Sequence, residues 1–168
     1  FFDADISTPL NEVEKFAPLI KSGVDVIIGT RKNGGSTVIV HQPLYRELLG
    51  RTFTKITQLI LGLTVTDFTC GFKAFSKSAT DQIFPCAKID GWGYDAEIIF
   101  LASRAKFKIA EVPVTWSNDS QTKVNLRSAI INTLFELIKI RYYHSIRALL
   151  KVVFPKLNLK YTLQKSNI

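Results

Sequence analysis

The residues best suited to chemistry stand at the head of the chain. Phe1-Phe2-Asp3-Ala4-Asp5 runs two bulky apolar side chains into two carboxylates one residue apart. Hard carboxylate oxygens suit Mg²⁺ or Mn²⁺, ions that commonly bridge a pair of carboxylates to phosphate oxygens. If strand geometry continues through the pair, alternation puts Asp3 and Asp5 on one face, able to share a cation. A plain surface turn would use the same residues, and the spacing alone leaves both readings open. Gly29-Thr30-Arg31 ends an apolar run with a planar guanidinium suited to gripping phosphate. Asp67 leads into a turn at Gly71, where glycine permits close approach or positive φ, or simply a β-turn with an Asp cap. Asp95 and Glu97 open an apolar helical pattern, where the helix dipole alone would favour them; their functional reading is a carboxylate near an acceptor. His144, a lone histidine in a basic segment, reads as solvated.

These residues need a frame. Two apolar residues before the aspartates look like the end of a buried strand, which is where ligands sit in open α/β sheets. Ser7 or Thr8 can cap a helix that Pro9 starts and that runs to about Ser22. Val24 to Gly29 reads as a buried parallel strand, giving strand-helix-strand and bringing Arg31 into the crevice of the aspartates. Lys32 to Gln42 reads as a loop with basic residues beside the site. From Pro43, apolar residues at helical spacing predict a helix to about Leu61, edged by Arg46, Arg51 and Lys55; it packs on the core or rests on a membrane, with core packing preferred. A short aromatic strand after Gly71, a helix over 76–84, a second over 96–105 and a strand over 107–116 pushed to an edge by Pro113 follow. A long helix from about Leu126 to His144 leads into a basic amphipathic segment, 144–156, and a polar tail, 157–168.

The 168 residues, 46% of them hydrophobic, suffice for one domain of the α/β class. The chain opens with Phe inside an apparent core strand and contains no Met, so the expectation is a fragment whose preceding strands lie elsewhere. Lys and Arg number 22 against 14 Asp and Glu, a formal charge of +8 that favours polyanionic partners: phosphates, nucleic acid or an anionic membrane. The basic residues are scattered and the aromatics fall in core-like segments, which speaks against a nucleic-acid module. Cys70 and Cys86 lack metal-ligand spacing and read as free thiols. No run of 18 apolar residues marks a membrane span.

The order of motifs is more specific than any one of them. Asp-Ala-Asp (3–5), Gly-Thr-Arg (29–31), Pro-Leu-Tyr-Arg-Glu-Leu-Leu-Gly-Arg (43–51), Thr-Asp-Phe-Thr-Cys-Gly-Phe-Lys-Ala-Phe (66–75), Gly-Trp-Gly-Tyr-Asp-Ala-Glu (91–97) and Glu-Val-Pro-Val-Thr-Trp (111–116) follow one another. This succession resembles family 2 glycosyltransferases, and over 1–143 the C-terminal part of a polyprenyl-phosphate sugar synthase of the dolichyl-phosphate glucose or mannose type. The resemblance implies a GT-A fold (nucleotide-diphospho-sugar transferase, Rossmann-like), a UDP- or GDP-hexose donor, Mg²⁺ or Mn²⁺, and a polyprenyl-phosphate acceptor. It further implies a membrane-associated catalytic domain on the cytoplasmic side. Residue by residue, it gives Asp3 and Asp5 to the metal and donor diphosphate, and Arg31, Arg46 and Lys123 to the acceptor phosphate. Asp5, Arg31 and Arg46 would carry catalysis, by direct inverting transfer, with Asp67 and Glu97 orienting the arginines or sugar hydroxyls. Ser7 falls where some relatives place a further metal contact. Gln121-Thr122-Lys123 departs from the usual Gly-Ser-Lys, and Ser117 stands where mannose-type relatives carry an arginine, which points to glucose or another hexose. Asp-Ala-Asp-Ile-Ser also resembles the first motif of haloacid-dehalogenase-like phosphatases, with Asp3 as nucleophile. That class needs a later acidic pair, for which 91–95 is a poor substitute.

Overall fold

The computed structural model describes residues 1–32, 34–118 and 126–146. Its centre is Val26–Thr30 (β1), five consecutive residues that are all buried. A strand buried on both faces must be apolar on both, which Val26, Ile27 and Ile28 satisfy. Lys73–Phe75 (β3) pairs with one edge of β1 in antiparallel fashion and Ile109–Pro113 (β4) with the other in parallel, Val26 opposite Ile109 and Thr30 opposite Pro113. Alternation then divides the core. Val26 and Ile28 face one cluster with Leu61, Phe68, Ile83, Ile98, Ile99, Leu137 and Ile140, while Ile27 joins Phe16, Phe72, Val112 and Val114 on the other side.

Helices Leu44–Leu61 (α2), Lys77–Ile83 (α3), Tyr94–Arg104 (α4) and Leu126–Arg141 (α5) supply residues to the larger cluster. On the opposite side a 3₁₀ turn, Leu10–Phe16, runs into the short helix Ala17–Lys21 (α1) and inserts Phe16. The expected α/β class is borne out.

Several local expectations are corrected. Phe1 and Phe2 form no strand; the carbonyl of Phe1 accepts the Lys73 N–H at 3.0 Å, after which the chain turns at once. Neither Ser7 nor Thr8 caps the following helix, which begins as 3₁₀ after Pro9. The segment expected as a loop over 32–42 contains Thr37–Val40 (β2), paired in parallel with Thr115–Ser117 (β5). The single strand expected over 107–116 is therefore two strands serving two sheets.

Helix α2 packs on the core through Leu61, with Phe53 and Ile60 partly buried against the same cluster, but turns its other leucines outward. Its buried residues are Thr54, Thr57 and Leu61, whereas Leu44 and Leu59 are each 84% exposed. The buried threonines satisfy their hydroxyls on the carbonyls of Gly50 and Phe53 at 3.0 and 2.9 Å, so that face can lie against the sheet without orphaned groups. Gly62, at φ +69°, ends the helix in the left-handed conformation that a side chain would resist.

Ile98 has no exposed surface and its removal leaves a cavity that rigid neighbours cannot fill. Ile98→Ala is expected to cost about 2–5 kcal/mol, read as a lowered urea midpoint with an unchanged denaturant slope.

Candidate active site

The crevice is built at the carboxyl end of β1, where the chain leaves the sheet at Arg31. Asp67, with no exposed surface, receives Arg31 through three donors: the backbone N–H at 3.1 Å, Nε at 2.8 Å and Nη2 at 2.8 Å. Nη2 also donates to Thr69 Oγ1 at 3.0 Å, and the guanidinium lies over the Trp116 ring, 5.2 Å from its centroid. Two oxygens facing a fork of N–H groups is the geometry in which a planar cation is held most rigidly. Burial opposes charge on Asp67, and the adjoining guanidinium more than offsets it, holding the carboxyl far below the usual carboxylate range. The same partner raises Arg31 further above its ordinary value, against a desolvation penalty.

Asp67 is itself held in place. Glu111, on β4, accepts the backbone N–H groups of Thr66 and Asp67 at 2.9 and 3.1 Å and the Thr66 hydroxyl at 2.8 Å. Lys32 Nζ approaches Asp67 to 3.6 Å and donates to Thr54 Oγ1 on α2 at 2.6 Å. Burial dominates at Lys32 and lowers its pKa. The end of β1, the 66–69 turn, β4 and α2 are thereby linked through polar contacts around one carboxylate.

The two leading aspartates sit in a turn closed by Ile6 N–H donating to the Asp3 carbonyl at 3.1 Å, with Ile6 at φ +54°. Strand alternation therefore does not align Asp3 with Asp5. Asp5 Oδ1 accepts the Ser7 N–H at 3.0 Å, while the Asp3 carboxylate reaches across to the α-carbon of Gly71, occupying the space a β-carbon would fill. Although Asp3 as a residue is exposed, this contact desolvates its carboxyl and raises its pKa; Asp5 and Asp95 add to the rise, and Lys73 and Arg31 oppose it. Asp3 and Arg31 thus share one electrostatic field despite their separation in sequence.

The remaining expected residues divide. Arg46 begins the face of α2 that continues through Gly50, Thr54, Thr57 and Leu61, and its Nε is buried without a hydrogen-bond partner. Ser7 meets the described residues through its backbone, its N–H donating to Asp5 Oδ1 and its carbonyl accepting the Ser117 N–H, each at 3.0 Å. Glu97 is a correction. It is fully buried, accepts the N–H groups of Lys88 and Ile89 at 2.9 and 2.8 Å, and meets His144 Nε2 at 2.6 Å, so it orients neither arginine. These donors keep its carboxyl below the usual range in spite of burial. His144 is accordingly packed against the core rather than solvated. Lys123, the 157–168 tail and most of the 144–156 segment lie outside the described residues.

Two residues here, Lys73 and Trp116, carried no role in the motif reading, and Asp95, read with Glu97 as a cap or a carboxylate near an acceptor, joins them. Lys73, fully buried along its side chain, bonds the Cys70 carbonyl and Asp95 Oδ1, each at 2.6 Å. A lysine inside an apolar strand pattern is the signal that could have found it, because a buried ammonium requires partners.

Asp3 and Asp5 fit a hard divalent cation in their donor chemistry. Among the described residues no three His, Cys, Asp or Glu side chains gather to hold a metal, so such an ion would rely on substrate oxygens and water for its other ligands, as Mg²⁺ commonly does.

The carboxylate turn and the clamped arginine stand beyond the carboxyl end of a parallel strand, where ligands bind in open α/β sheets. Over most of its length the chain is similar to curated glycosyltransferases. It is 30% identical to the dolichyl-phosphate beta-glucosyltransferase of Saccharomyces cerevisiae over 84% of this chain and 46% of that protein. It is 27% identical to that of Dictyostelium discoideum over 83% of this chain and 44% of the relative. To the glycosyltransferase AglD of Haloferax volcanii it is 28% identical over 88% of this chain and 23% of the relative. The chain spans less than half the length of each of these three relatives. No family model matches it. The resemblance to dolichyl-phosphate sugar transferases read from the motif order is borne out by these relatives.

Asp67 also sets an acid dependence. Its folded-state pKa lies below the unfolded value of about 3.9, so its stabilisation is fully present above that pH and is lost progressively as the pH falls from there through the lower folded-state pKa. Asp67→Asn is expected to destabilise by about 3–5 kcal/mol at neutral pH, with the deficit shrinking below about pH 4, in urea unfolding series at stepped pH.

Proposed function

We propose that this chain is the C-terminal part of a GT-A catalytic domain that transfers a hexose, glucose foremost, from a nucleotide-sugar to dolichyl phosphate. The observation that carries the reading is the fork of Arg31 on Asp67 at the carboxyl end of β1, in a chain whose relatives are named dolichyl-phosphate beta-glucosyltransferases. An acceptor phosphate is already anionic at neutral pH and needs positioning more than it needs a general base. One of its oxygens attacks the anomeric carbon, and the bond from that carbon to the diphosphate oxygen breaks on the opposite face. Configuration inverts, and the nucleoside diphosphate departs with the bonding pair.

The chain's own residues divide this work. Arg31 is pre-set by Asp67 and Trp116, leaving Nη1 as the edge through which it meets an acceptor oxygen at no reorganisation cost. Arg46 brings an Nε that lacks a partner, a group an arriving phosphate oxygen would satisfy. Lys123 is assigned to the same phosphate on motif position alone. Asp3 and Asp5 would hold Mg²⁺ or Mn²⁺ on the donor diphosphate, which when bound supplies charge neutralisation at the leaving group. The named relatives favour this transfer over phosphate-ester hydrolysis.

An anionic membrane surface is the partner proposed for the outer side of α2 and α5. Leu44, Leu48 and Leu59 on α2 and Ile131, Phe135 and Ile138 on α5 are all more than half exposed, with Arg51 and Lys55 interleaved on α2. Apolar stripes edged with basic residues suit the headgroup boundary, and a lipid acceptor has to be met there. Among the described residues no helix is long and apolar enough to cross a membrane. The cytoplasmic side remains part of the proposal.

The full-length protein supplied with UDP-glucose or GDP-mannose, dolichyl phosphate and Mg²⁺ should label the lipid fraction. Asp5→Asn is expected to lower that transfer by about 10²- to 10³-fold; transfer at the wild-type rate would refute the assigned metal role. In flotation with vesicles containing phosphatidylserine, Leu48→Glu with Leu59→Glu should reduce the full-length protein's recovery in the lipid layer several-fold. Unchanged flotation would remove α2 from the proposed contact.

A further inference from the structure

The Lys73–Asp95 pair is unexplained by folding or by the roles already assigned. Lys73 opens β3 with a side chain that has no exposed surface, and its ammonium donates to the Cys70 carbonyl and to Asp95 Oδ1, each at 2.6 Å. The ammonium also lies 5.6 Å from the centre of the Phe1 ring. A buried ion pair is a poor means of stabilising a fold, since apolar residues of similar volume serve as well or better. Its position is informative. The bond to Cys70 closes the 70–73 turn, and the next residue, Gly71, is the surface against which the Asp3 carboxylate rests. The ammonium and the carboxylate therefore lie on neighbouring residues of one turn, close enough to act on each other electrostatically. Left to itself, an ammonium there would pair with Asp3, and a carboxylate so paired is a weaker partner for a cation.

We propose that Asp95 holds Lys73 away from Asp3, so that Asp3 stays available to a divalent cation while Lys73 fastens the turn beneath it. Asp95 is thus a positioning residue that acts through Lys73. It is suited to this because it stands in the first turn of α4, anchored by a helix packed on the main core cluster. The inference rests on the metal role assigned above to Asp3.

The test uses the full-length protein and Mn²⁺ with UDP, measuring bound and free Mn²⁺ by electron paramagnetic resonance and so avoiding dependence on turnover. Asp95→Asn keeps the shape of the side chain and frees the ammonium. It is expected to weaken Mn²⁺ binding about tenfold or more. Lys73→Met should bind Mn²⁺ at least as tightly as the wild type, and the double variant Asp95→Asn with Lys73→Met should recover wild-type affinity. That recovery is the readout a structural role would not give, because the double variant lacks the whole pair. Wild-type affinity in Asp95→Asn, or a double variant as weak as the single one, overturns the inference. A wild-type protein that binds no Mn²⁺ would instead overturn the metal reading and this inference with it.

Discussion

The crevice depends on one buried contact, the fork of Arg31 on the two oxygens of Asp67. Neither partner could occupy its position alone: an unpaired carboxylate with no exposed surface or a guanidinium with 20% of its side chain exposed would each face a desolvation penalty of several kcal/mol. Together they fix the exit of β1 to the 66–69 turn, and Glu111 fixes that turn to the neighbouring strand. Because Arg31 also gives its backbone N–H to Asp67, the direction in which the chain leaves the sheet is set by the same oxygens that set the side chain. The ion pair is thus as much a backbone device as a charge device.

Around it, charges are arranged in sequence: Asp67 against Arg31 and Lys32, then the like pair Asp3 and Asp5, then Lys73 against Asp95. Buried Asp67 and Lys73 each meet an opposite charge, whereas at Asp3 desolvation first and then the neighbouring Asp5 raise the pKa, with Lys73 and Arg31 opposing. Under the proposed metal role, two adjacent carboxylates beside paired neighbours would give a cation a defined place to go. The same logic leaves Arg46 with a buried N–H lacking a partner on α2. Uncompensated groups of opposite sign suit a reaction whose two phosphorylated substrates must meet.

Much of this was legible in the chain itself. The β-branched run ending in Gly-Thr-Arg marked the central strand and its functional end because burial on both faces demands apolar residues without alternation. Gly71 was legible as a close approach, although what approaches, the Asp3 carboxylate, was not. The expectations that failed did so where tertiary contact overrides local pattern. The aspartates form a turn since Phe1 is tied to β3 and the chain must reverse. Asp95 and Glu97 were read together, yet a helix start presents successive carboxylates to different sides, so Asp95 meets Lys73 while Glu97 turns to the Lys88 and Ile89 N–H groups. Strands β2 and β5 are too short and too exposed for alternation to reveal them, and their pairing is a long-range event. Helix α2 packs on the core as preferred, but its buried face also carries threonines, whose hydroxyls are satisfied within the helix, while most of its leucines turn outward, so polarity and burial part company.

That inversion of α2 bears on how the protein would behave in the laboratory. Two leucines at 84% exposure on one helix, beside a second helix with an uncovered phenylalanine, give a greasy flank without a lid. In plain buffer such a flank adheres to its like, and monodispersity would hinge on a mild detergent or an amphiphilic polymer rather than on ionic strength. Crystals or particles prepared without one would report on clumping as much as on the molecule.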